Sequence, residues 1–376
     1  MTVAAPAVVI AGGGTGGHLF PGIALAEEVT TRHPDNRVLF VGTTRGLEAR
    51  VVPAAGFPLE TIQVRGLKGV GPLRALQALV MLPLSFVASW RIVGRFRPDV
   101  VVGVGGYSSG PVVLAAWLRG IATAIQEQNA LPGVTNRILG KIVRAVFIAF
   151  EQARAFFPPR KTYLVGNPVR RKLMDNYLRS RPPVMDGRFR LLVVGGSLGA
   201  RGLNSRMLEA LPHLGDLRER MGIVHQTGAA DLERVKAGYA AAGVTAEVVP
   251  FVEDMSAAYA RASLVLCRAG ATTVAELAIC KKAAILVPFP FATDDHQAIN
   301  AAALVEAGAA LMFREAELTG ERLAQELRQL ASEPERLQRM ERAAGGLGRP
   351  EAARELVDLC AELVAPPAGR GQVVPR

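Results

Sequence analysis

Residues 8–18 read Val8-Val9-Ile10-Ala11-Gly12-Gly13-Gly14-Thr15-Gly16-Gly17-His18. Four apolar residues in a row, three of them β-branched, predict a strand buried on both faces. The glycines permit a tight turn and close backbone approach, and the apolar periodicity after them predicts a helix over 22–31. Strand, glycine turn and helix in that order open a doubly wound α/β domain, with the loop at the carboxyl end of the strand.

Moving outward, residues 37–41, 99–104, 123–125 and 145–148 read as further strands separated by helical stretches. Continuous apolar strands between helices imply a parallel sheet covered on both faces. After Gly166-Asn167-Pro168-Val169-Arg170 the opening recurs: a strand over 190–194, the turn Gly195-Gly196-Ser197-Leu198-Gly199, and a helix through Ala210. Strands over 222–226, 245–250, 264–266 and 284–288 follow, with a helix over 272–280, and Arg181-Pro182-Pro183 reads as linker. The expected architecture is α/β, two Rossmann-like doubly wound parallel-sheet domains facing a cleft. Their expected bounds are 1–168 and 169–350, with a helix over 351–364 packing back on the first domain and a flexible tail over 365–376.

The 376 residues are 50% hydrophobic and 20% charged, a composition that excludes intrinsic disorder except at the ends. A net charge of +11 calls for a partner that favours cations, nucleic acid or anionic lipid. The basic residues are scattered and only 6% of the chain is aromatic, which argues against nucleic acid. Cys267, Cys280 and Cys360 form no CxxC pair, so neither a disulfide framework nor a zinc site is expected, and a reducing compartment is. Residues 1–12 lack the basic start of a signal peptide, so a cytoplasmic location is expected. The longest apolar stretch, 75–90, falls short of the roughly 18 to 20 residues of a membrane span and contains Pro83. It predicts either a buried helix or helix pair, or a segment that dips into the lipid interface.

Gly12, Gly14 and Gly17 satisfy G-x-G-x-x-G, so a dinucleotide enzyme must be weighed. The acidic residue such a site needs at the end of its second strand is missing, because 37–41 runs into Gly42-Thr43-Thr44-Arg45. His18 stands where the helix should start, and the positive end of a helix disfavours imidazolium, which predicts a ring able to accept a proton. The bland alternative is a His that caps the loop. In the second half, Cys267-Arg268-Ala269-Gly270-Ala271-Thr272-Thr273-Val274-Ala275-Glu276 passes from strand through a small-residue turn into a helix. Small residues let a diphosphate approach the amides, and Glu276 suits ribose hydroxyls. The alternative is an ordinary helix capped by Thr272 or Thr273, with Glu276 completing a capping box. Asp294-Asp295 reads as solvated loop acids in preference to a metal pair.

Together, GGGTGGHLFPGIALAEE, GVGGYSSGPVVLAA, EQNALPGVTNRIL, GNPVR, GGSLGAR, PFVEDM and CRAGATTVAEL resemble the MurG family. These bacterial enzymes transfer N-acetylglucosamine from UDP-GlcNAc to lipid I in peptidoglycan synthesis. The resemblance runs from residue 8 to about 364. It implies a GT-B fold, with lipid I held mainly by the first domain and UDP-GlcNAc by the second. Thr15, Gly16 and Gly17 match a loop facing the donor sugar and diphosphate, and Asn129, Arg170 and Ser197 match positions that contact the donor. Val252 sits where backbone grips the uracil. Ala271, Thr272, Thr273, Val274, Ala275 and Glu276 match the diphosphate and ribose segment, and Gln297 matches a glutamine near the sugar hydroxyls. Three positions depart from the family pattern: Gln126 replaces a His, Ala269 a Ser, and His296 a Gln.

The implied reaction is inverting. The 4-hydroxyl of the muramyl sugar attacks the anomeric carbon and UDP leaves from the opposite face. His18 is the first candidate for general base and Glu127 the second. No cofactor and no metal are expected; helix N-termini, Arg170 and Ser197 would meet the leaving diphosphate. A lipid-linked acceptor gives the positive charge a use, at the anionic inner leaflet of the cell membrane. The candidate docking face is Leu76, Leu79, Val80 and Phe86, flanked by Arg74 and Arg91 and joined by Lys141 and Arg144. Competing readings are another GT-B glycosyltransferase with a different lipid or natural-product acceptor, a sugar-nucleotide epimerase, which needs extra acid/base carboxylates, and a non-catalytic UDP-sugar-binding protein.

Overall fold

The apolar runs do become strands buried on both faces. All six residues of β1 (Ala7–Gly12) are buried, and alternate side chains serve two different cores. Val8 and Ile10 pack with Leu19, Ile23 and Val102, while Val9 and Ala11 pack with Val101, Val112 and Val113. This period-two division is what a sheet wound on both sides requires. The computed structural model describes residues 6–364 except 34, 45, 65–71, 180–187 and 197, and only the backbone of 72–80.

The chain divides into two units, one running to Arg170 and resuming at Glu351, the other Arg171–Pro350. In the first, β1 is followed by α1 (Gly16–Arg32), β2 (Arg37–Gly42), α2 (Glu48–Ala54), β3 (Leu59–Thr61) and α3 (Pro72–Phe96). Then come β4 (Val100–Gly105), α4 (Ser109–Leu118), β5 (Ala122–Glu127), α5 (Val134–Leu139), β6 (Ala145–Ile148) and β7 (Thr162–Leu164). The seven strands are parallel in the order β3-β2-β1-β4-β5-β6-β7.

The second unit opens with α6 (Arg171–Arg179), β8 (Phe189–Val194), α7 (Arg201–Ala210), β9 (Met221–Gln226), α8 (Leu232–Ala241), β10 (Glu247–Val249) and α9 (Met255–Arg261). It continues with β11 (Leu264–Cys267), α10 (Ala271–Ile279), β12 (Ala284–Leu286), α11 (His296–Glu306), β13 (Ala310–Met312), α12 (Gly320–Ser332) and α13 (Pro334–Leu347). Its six parallel strands run β10-β9-β8-β11-β12-β13. Leu191, Val193, Leu203, Met207, Leu264 and Leu323 centre its core. The expected class, two doubly wound parallel-sheet α/β units, is what the chain adopts.

The chain then returns to the first unit as α14 (Ala352–Val364). Leu356, Val357 and Cys360 join the face of the sheet that holds Val8 and Ile10. The Arg32 guanidinium ties α1 to this helix, donating to Asp358 at 2.5 Å and to the Arg354 carbonyl at 2.7 Å.

One local expectation needs correcting and another is narrowed. Helix α1 starts at Gly16, not 22, and carries Pro21 inside it; the proline forgoes one hydrogen bond to the preceding turn while its ring is buried. The apolar stretch 75–90 lies in one helix, α3, which Pro83 does not break. That helix is not simply buried, for Leu84, Val87 and Trp90 are exposed at 67%, 45% and 37%.

Candidate active site

In each sheet the winding reverses beside the first strand: β2 and β4 flank β1, and β9 and β11 flank β8. Loops at the carboxyl ends of those strands are where open α/β sheets bind ligands. The first glycine turn and Gly105-Gly106 occupy this place in one unit. Gly195, Gly196, Leu198 and Gly199 and the Arg268–Gly270 turn occupy it in the other.

The first glycine turn is fastened from beneath. Gly14, at φ 93°, donates its amide to Glu48 Oε2 at 2.8 Å. Glu48 Oε1 accepts from the Thr43 amide at 2.9 Å and the Thr43 hydroxyl at 2.7 Å. The Glu48 residue is 1% exposed, in a space left by three glycines: a Cβ at Gly13, Gly42 or Gly46 would overlap its side chain. Burial pushes its carboxyl up, but the Gly14, Glu48 and Thr43 amides and the Thr43 hydroxyl outweigh that and hold it below the usual value. The acid that the end of β2 lacks is therefore supplied by the first turn of α2, and it faces the protein's own backbone. Nothing in the local pattern of Leu47-Glu48-Ala49-Arg50 marks it; the available signal was the glycines at 13, 42 and 46.

Thr15, extended at φ −127°, ψ 158°, caps α1, and its carbonyl accepts from the His18 and Leu19 amides. Its Oγ1 lies 3.2 Å from His18 Nδ1. The other edge of the imidazole lies against Gly105, where a Cβ would stand 2.7 Å from Cδ2 and 3.0 Å from Nε2. Gly106 leaves room for the Gly13 carbonyl. Thr15, Gly16, Gly17 and His18 thus share the mouth of β1 and β4. Arg170 lies over the Phe20 ring, 4.5 Å from its centroid, beside the same helix turn.

Glu127 ends β5 and is 1% exposed. Its Oε1 accepts from the Asn129 amide and side chain at 3.0 and 3.2 Å, and its Oε2 from the Gly133 amide and Asn136 at 3.2 and 2.9 Å. Burial pushes its carboxyl up, against those hydrogen bonds. Four donors on one carboxylate make it the brace of the 127–136 loop and fix Asn129. Gln126 is buried behind it and donates to Asn167 at 3.3 Å.

In the second unit, α10 is capped by Gly270, which has no side chain to offer its amides. The capping box read from the sequence is absent: Glu276 is turned inward, and its Oε2 accepts from the Tyr259 hydroxyl at 3.0 Å. Ala271, Thr272, Thr273, Val274 and Ala275 build the first turns. Arg268, just before the turn, is buried and donates to the Val287 and Pro288 carbonyls at 3.1 and 3.2 Å and to Glu315. Cys267 is buried and its thiol is pushed up to about 12 by burial, which makes it no nucleophile. Val252 is half-buried between β10 and α9. Gln297 accepts the Phe289 amide through Oε1 at 2.9 Å, so its nitrogen is the end that can donate. Asp295 is clamped by Arg314 at 2.7 and 2.6 Å. No group of three or more His, Cys, Asp or Glu able to hold a metal occurs among the described residues. Ser197 lies outside the described residues.

These features define a two-unit enzyme class that family comparison makes specific. Residues 8–148 match the glycosyltransferase family 28 N-terminal domain and residues 190–356 the family 28 C-terminal domain, so the chain belongs to glycosyltransferase family 28. It is similar, at 70% identity over 95% of this chain and 93% of the relative, to a Myxococcus xanthus UDP-N-acetylglucosamine–N-acetylmuramyl-(pentapeptide) pyrophosphoryl-undecaprenol N-acetylglucosamine transferase. The protein of that name in Anaeromyxobacter dehalogenans is 63% identical over the same shares. The crystal structure of Acinetobacter baumannii MurG superimposes with a TM-score of 0.77 at 34% identity, covering 95% of this chain and 99% of that one. The resemblance read from the motifs holds. A UDP-GlcNAc 2-epimerase from Neisseria meningitidis shares the fold alone, with a TM-score of 0.67 at 14% identity, covering 95% and 99%.

Proposed function

We propose that this chain transfers N-acetylglucosamine from UDP-GlcNAc to the 4-hydroxyl of the muramyl sugar of lipid I, giving lipid II and UDP. The observation that carries the reading is the contrast between the two switch points. At β1 the glycine turn is engaged by an internal carboxylate, and it serves as the mount of His18. At β11 the small-residue turn opens α10 without a side-chain cap, which suits a diphosphate.

The chemistry follows from these atoms. In the tautomer whose Nδ1–H donates to Thr15 Oγ1, Nε2 carries the lone pair that takes the proton of the attacking hydroxyl. The C–O bond forms at the anomeric carbon as the bond to UDP breaks, inverting the centre. Glu127 is the weaker candidate for base, because removing its four donors would unmake the loop that holds Asn129. Negative charge on the departing diphosphate is met by the α10 turn at 271–276, by Arg170 and by Ser197, with Glu276 at the ribose, Val252 at the uracil and Gln297 at the sugar hydroxyls. An epimerase would need carboxylates poised at the sugar, whereas Glu48 and Glu127 are both spent on backbone amides.

The acceptor's lipid calls for a surface at the anionic inner leaflet. No described helix is long and apolar enough to cross a membrane. Trp90 on α3 and Trp117 and Leu118 on α4, two helices packed on each other, are exposed, and Arg119 stacks on Trp90 at 4.2 Å. Phe86 packs on Trp90 and is half-buried, while Arg91, Lys141 and Arg144 are exposed. This mixture of apolar and basic side chains suits peripheral docking. The side chains of Arg74, Leu76, Leu79 and Val80 lie outside the described residues.

Incubation with labelled UDP-GlcNAc and a lipid I analogue is expected to yield the disaccharide lipid. Absence of product from the wild-type chain would sink the enzyme reading; full activity in His18→Ala would sink only the base assignment.

A further inference from the structure

We infer that Glu48 is a positioning residue for the transfer reaction, holding the first glycine turn in the one conformation that aims His18. The inference rests on the reading of His18 as the base. The connection runs through adjacent atoms. The carboxylate binds the Gly14 amide on one oxygen and Thr43 twice on the other. Thr15 follows Gly14 directly, begins α1, and places Oγ1 at 3.2 Å from His18 Nδ1. The Gly13 carbonyl, on the other side of Gly14, fills the space left by Gly106, whose neighbour Gly105 forms the wall against the imidazole. Moving Gly14 therefore moves the hydroxyl bonded to the ring and the carbonyl packed behind its wall.

An uncharged cavity would not do this work. Glycines at 13 and 14 have access to many conformations, and each glycine so ordered forfeits more backbone entropy than any other residue. Three converging donors on a buried carboxylate select one of them, with charge-assisted bonds about twice as strong as neutral ones. The Gly14 amide already has an anion, so a diphosphate facing this turn would be met by amides beyond Gly14.

The test is a double-mutant cycle on steady-state transfer, with Glu48→Gln, His18→Ala and the pair. The amide of Glu48→Gln turns a donor toward the Gly14 or Thr43 amide. In the His18 background kcat is expected to fall on the order of 10- to 100-fold, the range for a reacting group misplaced by up to about 1 Å. In the His18→Ala background the same change is expected to alter the residual rate less than about threefold, since the group being positioned is gone. UDP affinity is expected to be unchanged in both, because the nucleotide is assigned to the other unit. Equal losses in the two backgrounds would overturn the inference, showing that Glu48 only supports the fold. An unimpaired His18→Ala enzyme overturns the base reading instead, so the two failures are distinct. Should Glu48→Gln fail to fold, Thr43→Val removes the hydroxyl on Oε1 alone. A loss of about two- to fivefold in kcat, confined to the His18 background, supports the inference, and an equal loss in both backgrounds refutes it.

Discussion

Three glycines with positive φ separate backbone strain from its consequence for the chemistry. Gly105, Gly106 and Gly120 have φ of 95°, 81° and 76°, so alanine at each pays about the same conformational penalty, roughly 1–2 kcal/mol. Their surroundings differ. Nothing lies within 4 Å of a Cβ at Gly120, whereas at Gly105 it would stand 2.7 Å from His18 Cδ2. Restoring ordinary contact, which begins at 3.4 Å, displaces the ring by about 0.7 Å. A misplacement of about 1 Å costs on the order of 100-fold in rate. Gly105→Ala and Gly120→Ala are therefore both expected to melt about 2–8 °C early. Only Gly105→Ala is expected to lose kcat, by about 10- to 100-fold with the KM for UDP-GlcNAc unchanged. Gly106→Ala meets the Gly13 carbonyl, which is backbone and cannot rotate away, and should cost more stability than either. The measurements are a melt and an initial-rate assay with a lipid I analogue. Equal kcat in Gly105→Ala and Gly120→Ala would refute both the wall against His18 and its role as base.

Further outcomes follow from groups away from that ring. His225 is buried between Tyr239 and Asn204, and burial lowers it to about 4 from 6.5. The unfolded chain binds this proton more readily, so stability falls as the pH drops from 6.5 to 4, by up to about 3 kcal/mol. His225→Gln should flatten that part of the melting-temperature profile, and an unchanged slope would discount the group. Tyr259→Phe deprives Glu276 of its hydroxyl donor, with an expected stability loss of about 1.5–3 kcal/mol and a raised KM for UDP-GlcNAc. A variant with wild-type KM would remove Glu276 from the ribose. Lys141→Glu changes the exposed charge by two, worth about 2 kcal/mol at an anionic surface, and should weaken sedimentation with anionic vesicles about thirtyfold while leaving neutral vesicles unaffected.

The central strands were legible because they are covered on both faces. In β1 and β4 every residue is buried, and the sequence accordingly shows unbroken apolar runs. Three of the four edge strands, β3, β7 and β13, are three residues each and partly exposed, and no run of β-branched residues marks them; the fourth, β10, is as short but lies inside the stretch 245–250 read as a strand. The site divides in the same way. The glycine turns and the small-residue turn at 268–271 are contiguous, and their chemistry is local. Glu48 is not local: what makes it an internal anion is the meeting of Gly13, Gly42 and Gly46 around it. Glu276 was legible as a carboxylate one turn into a helix, but its bond to Tyr259 joins two helices, α9 and α10, that no local pattern brings together.

The return of α14 to the first unit sets a schedule for making the protein. Val8 and Ile10 leave the ribosome early, yet Leu356, Val357 and Cys360, which share their core, come some 350 residues later. At 5–20 residues per second that is an interval of roughly 20 to 70 seconds. Throughout it, the part of that face which α14 covers stands open beside α1, a surface for nascent-chain chaperones to protect. The second unit is uninterrupted in sequence and closes its own core meanwhile. A chain halted before residue 352 would carry a finished second unit attached to a first unit that is still incomplete.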